Sequence, residues 1–194
     1  MPLPPEDPIM RGRLVWLRPL EKADLAEVDF DHVEFAHYAG FKAARGSDQD
    51  SRWFDELLPQ LGQSVFQFVI CRLGSREGVG GCGLRDLDRE NGSAEASIFL
   101  DPGNWGQGLG TDAMAALVDF GFGELRLERI YLHVFDYNPR AIRSYEKVGF
   151  VREATLRRAR FHRGDHHDVI LMAILRDEWL ALERPRSWDY APGS

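Results

Sequence analysis

Residues 93–122, SAEASIFLDPGNWGQGLGTDAMAALVDFGF, decide how this chain folds. Residues 94–100 alternate, with Ala94, Ala96, Ile98 and Leu100 on one face and Glu95, Ser97 and Phe99 on the other, as a pleated strand requires. Asp101-Pro102-Gly103 ends the strand, because proline has no N–H for a ladder and glycine opens a turn. From Thr111 the period changes: Met114, Leu117, Val118 and Gly121 recur at helical spacing and form an apolar stripe. Between strand and helix, Gly106, Gly108 and Gly110 leave backbone N–H groups uncovered at a helix N-terminus. The helix dipole and those orphan amides make such a place an anion site, usually for phosphate. A tight turn satisfies the same spacing. The Rossmann fingerprint is not met, since Thr111 and Ala113 stand where its last glycine is needed, and no Gly-Lys-Ser/Thr of a Walker loop follows.

A second stretch, RIYLHVFDYNPRAIRSYEKVGF at 129–150, gives a β-rich run to about Tyr137 and then a punctuated helix. Asn138 suits the N-cap, Pro139 the first helical position and Gly149 the C-terminal stop. With both stretches in place, the chain resembles the GNAT superfamily of acetyl-CoA-dependent N-acetyltransferases. That family's pyrophosphate loop reads Gln/Arg-x-x-Gly-x-Gly/Ala, and Gly108 and Gly110 fill its two small positions. Its downstream helix is similar to Asn138-x-x-Ala141…Tyr145-Glu146-Lys147-x-Gly149-Phe150. Trp105 stands where the superfamily has Gln or Arg. A Trp there, and the opening LRPLEKADL at 17–25, resemble the ribosomal-protein N-terminal (Rim-type) branch. The resemblance runs from residue 12 to about 180.

Composition sets the outer bounds. At 194 residues with 44% hydrophobic content, the chain is long enough for one full core. We expect one domain over 11–183, with loose tails at 1–10 and 184–194. The 24 basic against 31 acidic residues give a net charge of −7 with no basic block, which argues against nucleic acid and weakly favours cationic, amine-bearing substrates. Cys71 and Cys82 form no C-x-x-C pair and read as buried thiols of a reducing cytosol. The start MPLPPEDP lacks the regions of a signal peptide, and no apolar run approaches the ~20 residues of a membrane span. The expectation is a soluble, cytoplasmic monomer or homodimer with no membrane partner.

In chain order, a strand around Leu14–Trp16 precedes a helix from about Glu21. A second helix follows, capped by Ser47 or Asp50 and running to Pro59. His32, Glu34, His37 and Tyr38 fit either a substrate pocket or a solvated helix face. Strands at 65–72 and 79–87 follow, the latter with Gly80, Gly81 and Gly83 suggesting a bulge or close packing. Asn91-Gly92 signals a hairpin that sets 79–87 and 93–100 antiparallel. Strands at 150–161 and 168–175 close the chain around Arg163-Gly164-Asp165, before a short helix at Trp179. The order β, α, α, β, β, β, α, β, α, β, β reads as one α+β domain on a mixed, mostly antiparallel sheet. The resemblance implies the GNAT fold, in which the strands at 93–100 and 129–136 splay and the pantetheine arm lies between them.

The resemblance also assigns roles. Acetyl-CoA is the cosubstrate, its pyrophosphate held by Trp105, Gly106, Gln107, Gly108, Leu109, Gly110 and Thr111. Ile98, Phe99 and Leu100 hold the pantetheine amides, with Asn138 nearby, where it also serves as an N-cap. Tyr145, seven residues after Asn138, is the candidate general acid for the leaving thiolate, with a core aromatic as the other reading. Glu95 is the candidate base, directly or through water, with a solvated strand-face carboxylate as its alternative. His162, His166 and His167 flank a turn. A His-His pair on a strand points to opposite faces, and no tetrahedral set is completed, so no metal is expected. The expected reaction is acetyl transfer to a primary amine, a protein N-terminus first. Polyamine and aminoglycoside acetyltransferases share these motifs, and a non-catalytic acyl-CoA sensor is the reading from another class.

Overall fold

A computed structural model describes residues 10–26, 37–38 and 47–190. Its elements are β1 (Val15–Pro19), α1 (Ser47–Leu57), β2 (Phe66–Arg72), β3 (Gly78–Asp88), β4 (Ser93–Leu100), α2 (Leu109–Gly123), β5 (Arg129–Phe135), α3 (Pro139–Val148), β6 (Val151–His162), β7 (Asp165–Leu175) and α4 (Arg176–Ala181). Short 3₁₀ turns at Lys22–Ala26, Leu58–Gln60, Pro102–Asn104 and Ser187–Tyr190 complete them. The expected early helix is a 3₁₀ turn as far as it is described; His32 and Glu34 lie outside the described residues.

One seven-stranded sheet has the order β1-β2-β3-β4-β5-β7-β6. Every neighbouring pair is antiparallel except β4 and β5. The architecture is the GNAT fold, a mixed and mostly antiparallel sheet with helices. The hairpin from β3 to β4 forms, though not as a two-residue turn. Register resumes at Asp88↔Ser93, and the Asp88 carboxylate accepts from the backbone of Glu90 and Asn91 across the loop. A carboxylate that gathers its own loop's amides replaces the tight Asn-Gly turn.

The parallel pair positions the site. Only Ser93↔Arg129, Ala94↔Ile130 and Glu95↔Tyr131 are in register. Beyond Glu95, β4 stays paired with β3 to Leu100, while β5 stays paired with β7 to Phe135. The two inner strands therefore part in the middle of the sheet.

The alternation read from sequence holds across this seam. Ala94, Ala96, Ile130, Leu132 and Val134 are buried, on the face that carries α2. A side chain at Gly121 would meet Ile130 Cδ1 at 2.6 Å, so the helix stripe sits against β5 at glycine distance. The glycines of β3 serve close packing as well. A Cβ on Gly80 would lie 2.3 Å from the Phe99 carbonyl oxygen, and one on Gly81 would lie 2.7 Å from the Phe99 ring.

Past α4 the chain does not come loose at residue 184. The buried Asp119 carboxylate of α2 accepts from Trp179 Nε1 (2.8 Å), Arg184 and the Ser187 backbone N–H (2.8 Å). A buried carboxylate must be satisfied, and this one is satisfied only if the C-terminal segment packs on α2. The expected tail is corrected accordingly as far as Tyr190.

Candidate active site

The parting of β4 and β5 opens a cleft of about 910 Å³. Its walls come from β4, the glycine loop, the first turn of α2, β5 and α3, with β2, β3, α1 and the Lys22–Ala26 turn beyond them; they bring together the residues assigned to it from sequence except Gln107, which does not line it. That volume lies in the range of small-molecule and cofactor sites.

At the cofactor end, Gly106 and Gly108 have φ of +75° and +81°, a left-handed backbone that glycine alone adopts at little cost. Gly108 is the N-cap of α2, with no side-chain capping hydrogen bond. Among the described residues no acceptor within the chain takes the N–H groups of Gly106, Gly108, Leu109 or Gly110. The one carboxylate in that turn, Asp112, faces the other way. It accepts from the backbone of Arg13, Leu14 and Val15 at 3.0, 2.8 and 3.1 Å and ties α2 to the start of β1. The positive end of α2 is thus left to an outside anion, and a pyrophosphate fits it.

Three of the loop's side chains hold the loop itself. Trp105 Nε1 donates to the Leu100 carbonyl at 2.8 Å, and the Arg140 guanidinium sits 3.5 Å over its ring. Gln107 accepts from Arg72 at 2.7 Å and donates to the Gly103 carbonyl. Thr111 Oγ1 pairs with Ser144 Oγ at 2.7 Å and joins α2 to α3. These side chains hold the shape of the loop. Of the residues assigned to the pantetheine, Ile98, Phe99 and Leu100 all lie in the parted half of β4, with the Leu100 carbonyl already engaged by Trp105.

Asn138 caps α3, its Oδ1 accepting from the Ala141 N–H at 3.2 Å, and it also lines the cleft. Two turns later Tyr145 lines the same cleft, packed among the core residues of the α2 face. It therefore reaches the cleft from the helical side of the sheet, where β4 and β5 have separated. Burial pushes its phenol up to about 12, so it stays protonated at neutral pH and is able to donate to a thiolate.

Glu95 comes from the opposite face. It is buried, and it is committed: Arg85 Nε donates to it at 3.0 Å and His133 Nδ1 lies 2.8 Å away. Burial alone raises its carboxyl, but the Arg85 and His133 hydrogen bonds outweigh that and hold it below the ordinary carboxylate range. His133 also lines the cleft, and sequence reading missed it. The available signal was the alternation of β5, which sets Tyr131, His133 and Phe135 opposite Ile130, Leu132 and Val134. Without the register Glu95↔Tyr131 that signal pointed to no partner.

The histidines of the last hairpin separate as expected of neighbours on a strand. His166 packs on Phe161 and approaches the Arg158 carbonyl, whereas His167 packs on Tyr137 near Asp136. His162 Nε2 lies 2.6 Å from His37 Nδ1, and both rings stack with Tyr137. Tyr38 lines the cleft beside Trp105. No described helix is long and apolar enough to cross a membrane.

Comparison with known proteins agrees with this geometry. The Acetyltransferase (GNAT) domain family matches residues 14–151. A spermidine N(1)-acetyltransferase of Escherichia coli is 31% identical over 169 residues, 86% of this chain and 89% of its own. A spermidine N-acetyltransferase from Vibrio cholerae, solved in complex with CoA and spermine, superposes with a TM-score of 0.79 at 27% identity. It covers 86% of this chain and 98% of its own. A putative ribosomal N-acetyltransferase of Bacillus subtilis is 30% identical over a shorter stretch, 50% of this chain and 52% of its own. The Rim-type branch expected from Trp105 and the opening string is therefore not singled out, and the longer likeness is to spermidine acetyltransferases. With the parted strands, the open amide cradle and a matched family over most of its length, this chain belongs to the GNAT acetyltransferases and is an N-acetyltransferase that takes acetyl from acetyl-CoA.

Proposed function

We propose that the acceptor is a polyamine of the spermidine type and that Tyr145 protonates the departing CoA thiolate. The observation that carries the acceptor is the likeness to a spermidine N(1)-acetyltransferase across 86% of this chain. The chain's net charge of −7 supports it, because the long-range field of an acidic protein draws a polycation toward it. The amine attacks the thioester carbonyl, the C–N bond forms, the C–S bond breaks, and the thiolate takes the phenol's proton.

A peptide N-terminus is the second reading, favoured by the half-length likeness to a putative ribosomal N-acetyltransferase. Turnover of acetyl-CoA on spermidine is compared with turnover on short peptides bearing free N-termini at matched concentrations. We expect kcat/KM for spermidine to exceed that of every peptide by at least about tenfold, or about 1.4 kcal/mol. A peptide that outruns spermidine overturns the acceptor and leaves the fold and the cofactor site standing.

A further inference from the structure

We propose that His133, not Glu95, removes the proton from the acceptor amine, and that Glu95 holds the His133 ring in the required orientation and tautomer. The inference rests on amine acetylation by this cleft and not on which amine is the acceptor.

Three observations carry it. First, Glu95 has little capacity left for a proton. It is buried, with its side chain about 10% exposed, and it already accepts from Arg85 Nε at 3.0 Å. A carboxylate in a salt bridge with a guanidinium is a poor base toward an ammonium. Second, His133 Nδ1 lies 2.8 Å from the other carboxylate oxygen of Glu95. A carboxylate only accepts, so Nδ1 carries the hydrogen and the lone pair of the neutral ring lies on Nε2. Third, both residues line the cleft, but the His133 side chain is 38% exposed against 10% for Glu95, so the imidazole is the more accessible of the two. Base, orienting carboxylate and anchoring guanidinium thus form a chain from β5 through β4 to β3. A base oriented by a third group is the general pattern for activating a nucleophile. Imidazole is also the side chain best suited to exchange a proton near neutral pH.

The seam supplies the geometry. Glu95 is the last residue of β4 in register with β5, and His133 stands two residues beyond its partner Tyr131. The dyad therefore sits at the fork where the strands part, on the face opposite the one from which Tyr145 enters. The protons balance across it. The acceptor ammonium gives one proton to His133 Nε2, which passes it to solvent. The neutral amine attacks the thioester carbonyl, and CoA thiolate takes the Tyr145 proton as the C–S bond breaks. The second proton lost by nitrogen restores Tyr145.

The test compares His133→Gln and Glu95→Gln in the full chain, each checked for fold and for acetyl-CoA affinity by calorimetry. Two acceptors are used: the best amine of the parent enzyme, which is an ammonium at the assay pH, and an alkoxyamine, which is already neutral there. We expect His133→Gln to lose about 10²–10⁴-fold in kcat on the ammonium acceptor, the usual worth of a general base, and far less on the neutral one. Glu95→Gln keeps a neutral imidazole in place with poorer orientation. It should lose less, about 10–100-fold, as when a partner that orients a functional imidazole is removed. If His133→Gln stays within threefold of the parent, or loses equally on both acceptors, His133 is not the base. If Glu95→Gln is the more damaging of the two, Glu95 is itself the base and the assignment fails. Should the parent prefer a peptide to spermidine, the same comparison runs on the peptide, so the failure of one reading is separate from the failure of the other.

Discussion

Along β4 the first three residues and the last four behave differently although both stretches lie in one strand. Ser93 and Glu95 are laddered on both edges, to β3 and to β5, and Ala94, at an irregularity of the β3 ladder, is paired with β5. Ser97, Ile98, Phe99 and Leu100 keep the β3 ladder and have none to β5. The laddered half fixes a polar cluster of Arg85, Glu95 and His133 in place. The parted half leaves a strand edge facing a helix N-terminus. Exposed strand edges invite another extended chain to pair with them. One half is thus suited to proton chemistry and the other to holding an extended acyl carrier, and the fork between them is where the two substrates meet.

The largest effect expected at that fork is from Tyr145→Phe. The ring stays in its packing, the phenol is lost, and kcat should fall about 10²–10⁴-fold with acetyl-CoA affinity unchanged. Steady-state kinetics beside calorimetry check it, and a fall of less than about tenfold makes Tyr145 a core aromatic only.

On the parted side, Gly110→Val sharpens the contrast. An added Cβ lies 3.2 Å from Leu100 Cδ1, a flexible contact, while the branched methyls add bulk to the first turn of α2 in the wall of the cleft. Acetyl-CoA affinity should drop by about tenfold or more with the fold kept. Equal affinity in calorimetry would remove the cradle from that turn. Gly108→Val is the less clean probe, because its backbone φ of +81° strains any branched residue whether or not a cofactor is bound.

A control remote from the fork is Asp119→Ala. It strips the partner from Trp179 Nε1 and from Arg184, and unfolding stability should fall by about 2 kcal/mol, or roughly 4–8 °C in Tm. Turnover per folded molecule should be unchanged. A loss of activity at temperatures well below the transition would show that the C-terminal segment reaches the site.

The smallest effect is the acid limb of stability. Glu95 is held below its unfolded value, so its contribution is present above that value and is lost as pH falls through the folded one. Glu95→Gln should flatten the decline of Tm on acidification, by roughly 2–4 °C at most, as measured by thermal melts from pH 7 to pH 3. A steeper acid limb in the variant contradicts the lowered carboxyl.

The fork also separates what sequence alone made legible from what it hid. The strand, glycine loop and helix at 93–122 were legible, since a period of two, a proline stop and a helical stripe are local signals. Tyr145 is picked out by the family resemblance, through its distance from Asn138, since periodicity alone reads it as a core aromatic. The alternation of β4 makes Glu95 a candidate for the cleft, which it lines, but its partners are invisible in that pattern. Arg85 and His133 lie on other strands, and only register brings them within 3.0 and 2.8 Å. Trp105 and Gln107 were expected to hold the cofactor. Their bonds to Leu100, Gly103 and Arg72 depend on how the loop closes, which no spacing encodes. Likewise Asp119 gave no sign in an apolar helix stripe that it would anchor residues 68 positions away.

Amide hydrogen exchange with and without CoA tests the two halves of β4 against each other in one measurement. The account predicts added protection at residues 97–100 and 106–111 when CoA is bound, with residues 93–95 unchanged because they are already paired with β5. Protection that rises at 93–95 instead, or at neither stretch while CoA binds, would contradict a cofactor held in the parted seam.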